Sequence, residues 1–153
     1  RIPFALGGGI ATGEQVVAAL ALGASGVAMG TRFLLADEIP AHPDYKRRLI
    51  TAQPGDTTLI MSSVRNSMRV LTNDTTATVR SLEAQGVDDI QQFLPHVRGR
   101  LGKAAYASGD WRQGALSVGQ GVGLMHETAS LAGIVAQLEE EADRSLSRLG
   151  LSA

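Results

Sequence analysis

The chain has 153 residues, 44% of them hydrophobic, and its 14 basic and 15 acidic side chains leave a formal net charge of −1. That balance gives no electrostatic reason to expect a nucleic acid or an anionic membrane as partner, and zero cysteines exclude disulfides, thiolate metal ligands and a thiol nucleophile. Eighteen glycines in so apolar a chain point to tight turns in a globular domain, and with no bilayer-length apolar run or signal peptide to read, the expected setting is the cytoplasm.

In chain order, Ile2 to Leu6 is a short apolar run of the kind that forms a buried parallel strand, and Gly7-Gly8-Gly9-Ile10 follows it directly. Thr12 with Gln15 matches a capping box, so a helix is expected from Gly13 to about Leu22, with Gly23 ending it. Gly26 to Met29 reads as a second strand, and Thr31 to Ala36 as a short helix whose N-terminus sits at that strand's end. Asp37-Glu38-Ile39-Pro40 breaks the helix, and His42-Pro43-Asp44 opens another, with Pro43 suited to the first helical position.

Pro54-Gly55-Asp56 stops that helix. Thr57 to Met61 and Met68 to Leu71 are extended segments expected outside the main sheet, separated by the polar turn Arg65-Asn66-Ser67. Helical spacing returns from Asp74 to about Gln85 and from Asp89 to Ala107, with Gly86 and Pro95 as interruptions. Gly109-Asp110-Trp111 is a turn, and Gly114 to Gly123 is glycine-rich. Leu131, Ile134, Val135, Leu138, Ala142 and Leu146 then form the apolar stripe of a closing helix, with Glu139-Glu140-Glu141 as its wet face.

A glycine triplet alone is a common turn. What changes its meaning is Gly30-Thr31, some twenty residues on, after one helix and one strand. The two glycine turns then come from neighbouring strand ends on one face of a sheet, where bare N–H groups and a helix N-terminus approach an anion with no Cβ in the way. In strand–helix barrels a phosphate site is frequently built from the loops after the last two strands plus a short extra helix, and Thr31 to Ala36 is placed to be that helix. A complete barrel takes about 250 residues. With two parallel-strand signals and an opening residue, Arg1, that is not a methionine, the expected fold class is α/β, the C-terminal part of a (β/α)8 TIM barrel with a small helical insertion.

The run Ile2 to Phe33, then Ala41-His42-Pro43-Asp44-Tyr45-Lys46, Arg69-Val70-Leu71-Thr72-Asn73 and Ser117 to Leu124, resembles the C-terminal half of the FMN-dependent nitronate monooxygenase (2-nitropropane dioxygenase) family. The flavin-dependent enoyl-acyl-carrier-protein reductases share the pattern. The resemblance implies an oxidoreductase that oxidises alkyl nitronates or nitroalkanes with O2. It assigns FMN as cofactor, its phosphate held by backbone amides of Gly8, Gly9, Gly30 and Thr31, with the Thr31 hydroxyl as an additional donor. It places Ser117, Gly119 and Gln120 on the flavin or substrate side, although the same glycines read equally well as a tight entry into the last helix.

The resemblance also implies three segments: barrel units over 1–72, a helical cap over 73–113, and a glycine-rich loop with the closing helix over 114–153. In the family the catalytic histidine precedes the first strand present here, so no catalytic residue and no metal ligand is expected in this chain, and none of His42, His96 or His126 inherits the role. The implied partners are a small-molecule substrate and the N-terminal half of the barrel, on the same or a separate chain. Enoyl reduction on the same scaffold is the alternative activity. An inert flavin- or phosphate-binding module that needs a second chain is the alternative of another class, and an α-hydroxy-acid oxidase relative ranks lower because Thr31 intervenes before Arg32. Arg32 is expected to pair with a nearby acid, Arg69 and Asn73 to anchor the cap, and Trp111 to pack.

Overall fold

A computed structural model describes residues 2–151, so the outer limits of the expected segments at 1 and 153 lie outside the described residues. Strands β1 (Ala5–Gly7) and β2 (Gly26–Ala28) run parallel, Ala5 opposite Gly26 and Gly7 opposite Ala28, and helix α1 (Gly13–Ala21) makes the crossover that a parallel pair requires. The capping box forms: Gln15 N donates to Thr12 Oγ1 at 3.4 Å and Thr12 N donates to Gln15 Oε1 at 3.2 Å. A 3-10 helix at Thr31–Leu35 follows β2, and α2 (Pro43–Ile50) opens with Pro43 in its first turn.

Beyond α2 the chain changes construction. Strands β3 (Thr57–Ile60) and β4 (Met68–Leu71) form a separate antiparallel hairpin with Thr57 opposite Leu71. Helices α3 (Asp74–Ala84), α4 (Ile90–Val97) and α5 (Gly99–Ser108) come next, then a 3-10 helix at Gln120–Leu124 and the long α6 (Leu131–Arg148). The helical stretch expected over Asp89 to Ala107 is indeed interrupted, but not at Pro95 as expected. Pro95 is accommodated inside α4, and the break falls at Arg98, whose ψ of 133° takes it out of the helix while its carbonyl accepts from Leu101 N to start α5.

Two apolar cores organise the molecule. One gathers Leu35, Tyr45, Leu49, Leu71, Leu116, Val118, Val122 and Met125; the other gathers Ile60, Met61, Val70, Val79 and Phe93 under the hairpin. Helix α1 instead packs on α6, where Gly13 N donates to Glu141 Oε2 at 2.8 Å across 128 residues of sequence. Glu141 is therefore half-buried at the N-terminus of α1, a correction to its expected place on the wet face, and the reason is the free amide and positive helix end it meets there.

The first strands also depart from expectation. Ala5 and Gly7 are exposed, Leu6, Gly26 and Val27 only half-buried, and Ile2 and Phe4 keep 89% and 47% of their surface. Two hydrogen-bonded strands with α1 on one side leave the other side of the pair uncovered among the described residues. Among the described residues, no helix is long and apolar enough to cross a membrane.

Candidate functional site

Because β1 and β2 are parallel, the loops that leave them emerge at the same end. Gly8 (φ 91°) and Gly9 (φ 75°) turn the chain sharply away from β1 through backbone conformations that side chains disfavour. Gly8, Gly9 and Ile10 from that loop, Gly30 and Thr31 from the loop after β2, Ser117, Val118 and Gly119 from the segment before the 3-10 helix at Gln120–Leu124, and Gly121 within that helix line one cavity of about 420 Å³. Ala28, Leu34, Arg69 and Tyr106 complete its wall.

The three loops are stitched together. Gly119 N donates to Thr31 Oγ1 at 2.9 Å, which leaves the hydroxyl proton of Thr31 free for a further acceptor. A Cβ on Gly119 would stand 3.4 Å from that oxygen and 3.8 Å from Gly9 N, ordinary contact distances that show how near the three loops come to one another. The Ser117 segment is held in turn by β4, through Leu71 N to Leu116 O at 2.9 Å and Val118 N to Arg69 O at 3.3 Å. In this way the hairpin reaches the cavity, and Arg69 arrives with its guanidinium 3.1 Å from Thr57 Oγ1.

The N–H groups of Gly9 and Gly30, on exposed residues, and of Ile10 and Thr31, on half-buried ones, find no acceptor within hydrogen-bond geometry among the described residues. Backbone donors without a protein acceptor, from two glycine turns and the start of a helical turn, are groups that can hydrogen-bond an anion.

Six of the seven residues singled out in the sequence thus share one cavity: Gly8, Gly9, Gly30, Thr31, Ser117 and Gly119. Gln120 does not. It is exposed at the first position of the 3-10 helix and borders a neighbouring shallow pocket with Gln15, Pro54 and Leu124, because the helical turn that begins at Gly119 carries its side chain around to the outside. Ile10, Leu34 and Tyr106 were not legible as cavity residues. Tyr106 comes from α5, far along the chain, and no local pattern distinguishes it from a packing tyrosine.

Other expectations resolve plainly. Arg32 is 4% exposed and its guanidinium donates to Gln137 Oε1 on α6 at 2.6 Å; the expected acid partner is replaced by a neutral amide because the residue is carried into the α6 contact rather than to the surface. Asn73 caps α3 by accepting from Thr76 N at 3.0 Å and donates to Trp111 O and Gly114 O at 3.0 and 2.9 Å, so it ties the helical segment to the stretch that leads to the cavity. His42 caps α2, accepting from Asp44 N at 3.2 Å. His96 is half-buried and His126 exposed, and neither lines the cavity.

Trp111 packs on the first core with the Arg48 guanidinium 5.0 Å from its ring centre. Arg48 also pairs with Asp56 at 3.2 Å, and the Gln53 N–H together with this arginine holds the Asp56 carboxyl below the usual carboxylate range. Tyr45 is fully buried beside Tyr106, ring centres 4.8 Å apart and edge to face, and burial pushes its phenol well above its ordinary value.

A glycine-lined cavity at the carboxyl ends of parallel strands, with a helical turn at its rim, puts the chain among the α/β folds that receive ligands at that end of the sheet. The family model for nitronate monooxygenase matches residues 1–141, and the chain belongs to that family of oxidoreductases. It is 31% identical over 150 residues to the nitronate monooxygenase of Paraburkholderia phytofirmans, an alignment covering 97% of this chain and 40% of that protein. Among solved structures it superposes on FabK from Thermotoga maritima with a TM-score of 0.88 at 31% identity, covering 98% of this chain and 47% of the other. It also superposes on the nitroalkane oxidase of Streptomyces ansochromogenes with a TM-score of 0.76 at 30% identity, over 97% and 42% of the two chains. The chain therefore spans less than half the length of these relatives.

Proposed function

We propose that this chain supplies the phosphate anchor and part of the cavity wall of an FMN-dependent nitronate monooxygenase. The observation that carries the reading is the convergence of the Gly9, Gly30–Thr31 and Gly119 backbones on one cavity with amides unused by the protein. The donor set fits the group: a phosphate ester needs several N–H or O–H donors and no side chain in the way, and a Cβ built on Gly8, Gly9 or Gly30 meets no protein atom within 4 Å. In this reading the free amides of Gly9, Gly30 and Thr31 and the Thr31 hydroxyl bind the phosphate, and the Gly119 amide holds Thr31 in its rotamer. Ser117 and Val118, fixed by β4, wall off water on one side. Bound there, FMN supplies the redox chemistry and the reaction with oxygen, while the protein supplies position and electrostatics.

Proton abstraction from the substrate is assigned to a base outside this chain, since no histidine lines the cavity. The exposed Ile2, Phe4 and Leu22, at 89%, 47% and 76%, flank the β1–β2 pair and suit coverage by the N-terminal half of a barrel. On this view residues 1–72 and 114–153 belong to barrel units, and 73–113 to an insertion docked by Asn73.

The test is the absorbance spectrum of the purified protein, alone and with the N-terminal half, followed by oxygen uptake with alkyl nitronates. Flavin bands together with nitronate-dependent oxygen uptake are expected. Nicotinamide oxidation by a crotonyl thioester without nitronate turnover would replace this reading with enoyl reduction. Gly30→Val is expected to abolish flavin retention while leaving the far-UV circular dichroism unchanged, because its side chain would occupy the open space beside the Thr31 amide.

A further inference from the structure

The reading of the cavity as a phosphate site leaves one question open: what keeps the Gly8–Gly9 turn in the orientation that offers amides rather than carbonyls. Consecutive glycines with φ of 91° and 75° have many alternative conformations close in energy, and a flip of the peptide between residues 9 and 10 would aim an oxygen at the anion. We propose that Gln15, on the first turn of α1, is the positioning residue that prevents this flip and so turns the Ile10 N–H toward the cavity.

The geometry is specific. Gln15 Oε1 accepts from Ala11 N at 2.7 Å and from Thr12 N at 3.2 Å, which fixes the amide's oxygen toward α1's first turn and therefore its nitrogen toward the glycine loop. Gln15 Nε2 then donates to Gly9 O at 3.2 Å. That oxygen is enclosed from another side by Gly121, where a Cβ would stand 3.0 Å away. Every peptide among the described residues is trans, so the Ile10 N–H points opposite to the Gly9 carbonyl, away from Gln15. Ile10 lines the cavity, and its amide has no acceptor among the described residues. Gln15 thus acts on the anion through the peptide it clamps, without touching the cavity.

Glutamate separates this role from helix capping, because a capping box takes Glu as readily as Gln while a carboxylate has no N–H for Gly9 O. In the protein joined to its N-terminal half, FMN and riboflavin affinities are measured by fluorescence titration beside the Tm of the flavin-free form. Gln15→Glu is expected to leave Tm unchanged and weaken FMN binding about tenfold or more, the worth of a hydrogen bond to a charged group, while riboflavin, which lacks the phosphate, binds as before. The loss should persist from about 50 mM to about 500 mM salt, a range that screens added surface charge. Thr12→Ala, which removes the cap's hydroxyl but keeps Gln15, should lower Tm and leave FMN affinity intact.

Equal FMN affinity in wild type and Gln15→Glu overturns the proposal, as does a loss that disappears at high salt or extends equally to riboflavin. A wild-type protein that binds neither flavin overturns the phosphate-site reading as well, whereas tight wild-type binding with an indifferent Gln15→Glu overturns only the clamp.

Discussion

The loops at the ends of β1 and β2 and the hairpin with its three helices are stabilised by different means. Around the cavity, contacts run through main chain: Gly119 N to Thr31, Gly9 O to Gln15, Gly13 N to Glu141, with a glycine supplying the backbone group in each. Under the hairpin, Ile60, Val70, Val79 and Phe93 are all completely buried and hold the segment by apolar packing. On the proposed reading, a surface that grips an anion is built from groups every residue carries, and it borrows rigidity from a neighbour whose side chains carry the stability. Asn73 and the Leu71–Leu116 bond are where the loan is made.

If that division holds, the largest loss of stability comes from the hairpin side. Phe93→Ala should destabilise by about 3–5 kcal/mol, the usual cost of an emptied aromatic site, while the flavin affinity of molecules still folded changes little; urea unfolding with a parallel flavin titration checks both. Gly13→Ala tests the main-chain side. Its Cβ would press on the Leu138 carbonyl and Ala142 amide and stand 2.6 Å from Glu141 Cβ, where α6 backbone cannot yield. About 3 kcal/mol or a little more is expected, at the upper end of overpacking costs, and here flavin affinity should fall as well, because α1 carries Gln15. A Gly13→Ala protein with normal stability would erase the distinction between the two regions.

Smaller effects sharpen it. The Tyr45 hydroxyl lies in the first core without a hydrogen-bond partner among the described residues, so Tyr45→Phe should raise stability by about 1 kcal/mol, the lower part of the cost of an unsatisfied buried polar group, read as an increased Tm. Smallest is the pH term from Asp56. Its lowered value in the folded state means that its contribution is present above the ordinary aspartate range and is lost as pH falls through the lowered value. Asp56→Asn should flatten the acid limb of the stability–pH curve and leave the neutral region nearly unchanged, in keeping with a carboxylate that is 39% exposed.

What was legible in the residues was whatever local chemistry dictates. Thr12 and Gln15 announced α1, Pro43 opened α2, and Gly8, Gly9, Gly30 and Thr31 marked two loops that do meet in one cavity. What stayed hidden was decided by partners distant in sequence. Glu141 reads as solvated until Gly13 is set beside it, Arg32 until Gln137 is, and Tyr106 is a packing residue until α5 folds across Leu34. The exposure of β1 was missed for a related reason: an apolar run of strand length announces a surface to be covered, and says nothing of whether the covering lies among the same residues.

The crossing of α1 on α6 has a consequence for how the molecule is made. The amide of Gly13 waits for a carboxylate that leaves the ribosome 128 residues later, so α1 cannot settle until α6 exists. Contacts of such separation delay folding, and the cavity-forming turn that hangs from α1 should therefore be among the last parts to order. A nascent chain stalled before Leu131 should show the hairpin protected from protease and the Gly7–Leu22 stretch still open to cleavage.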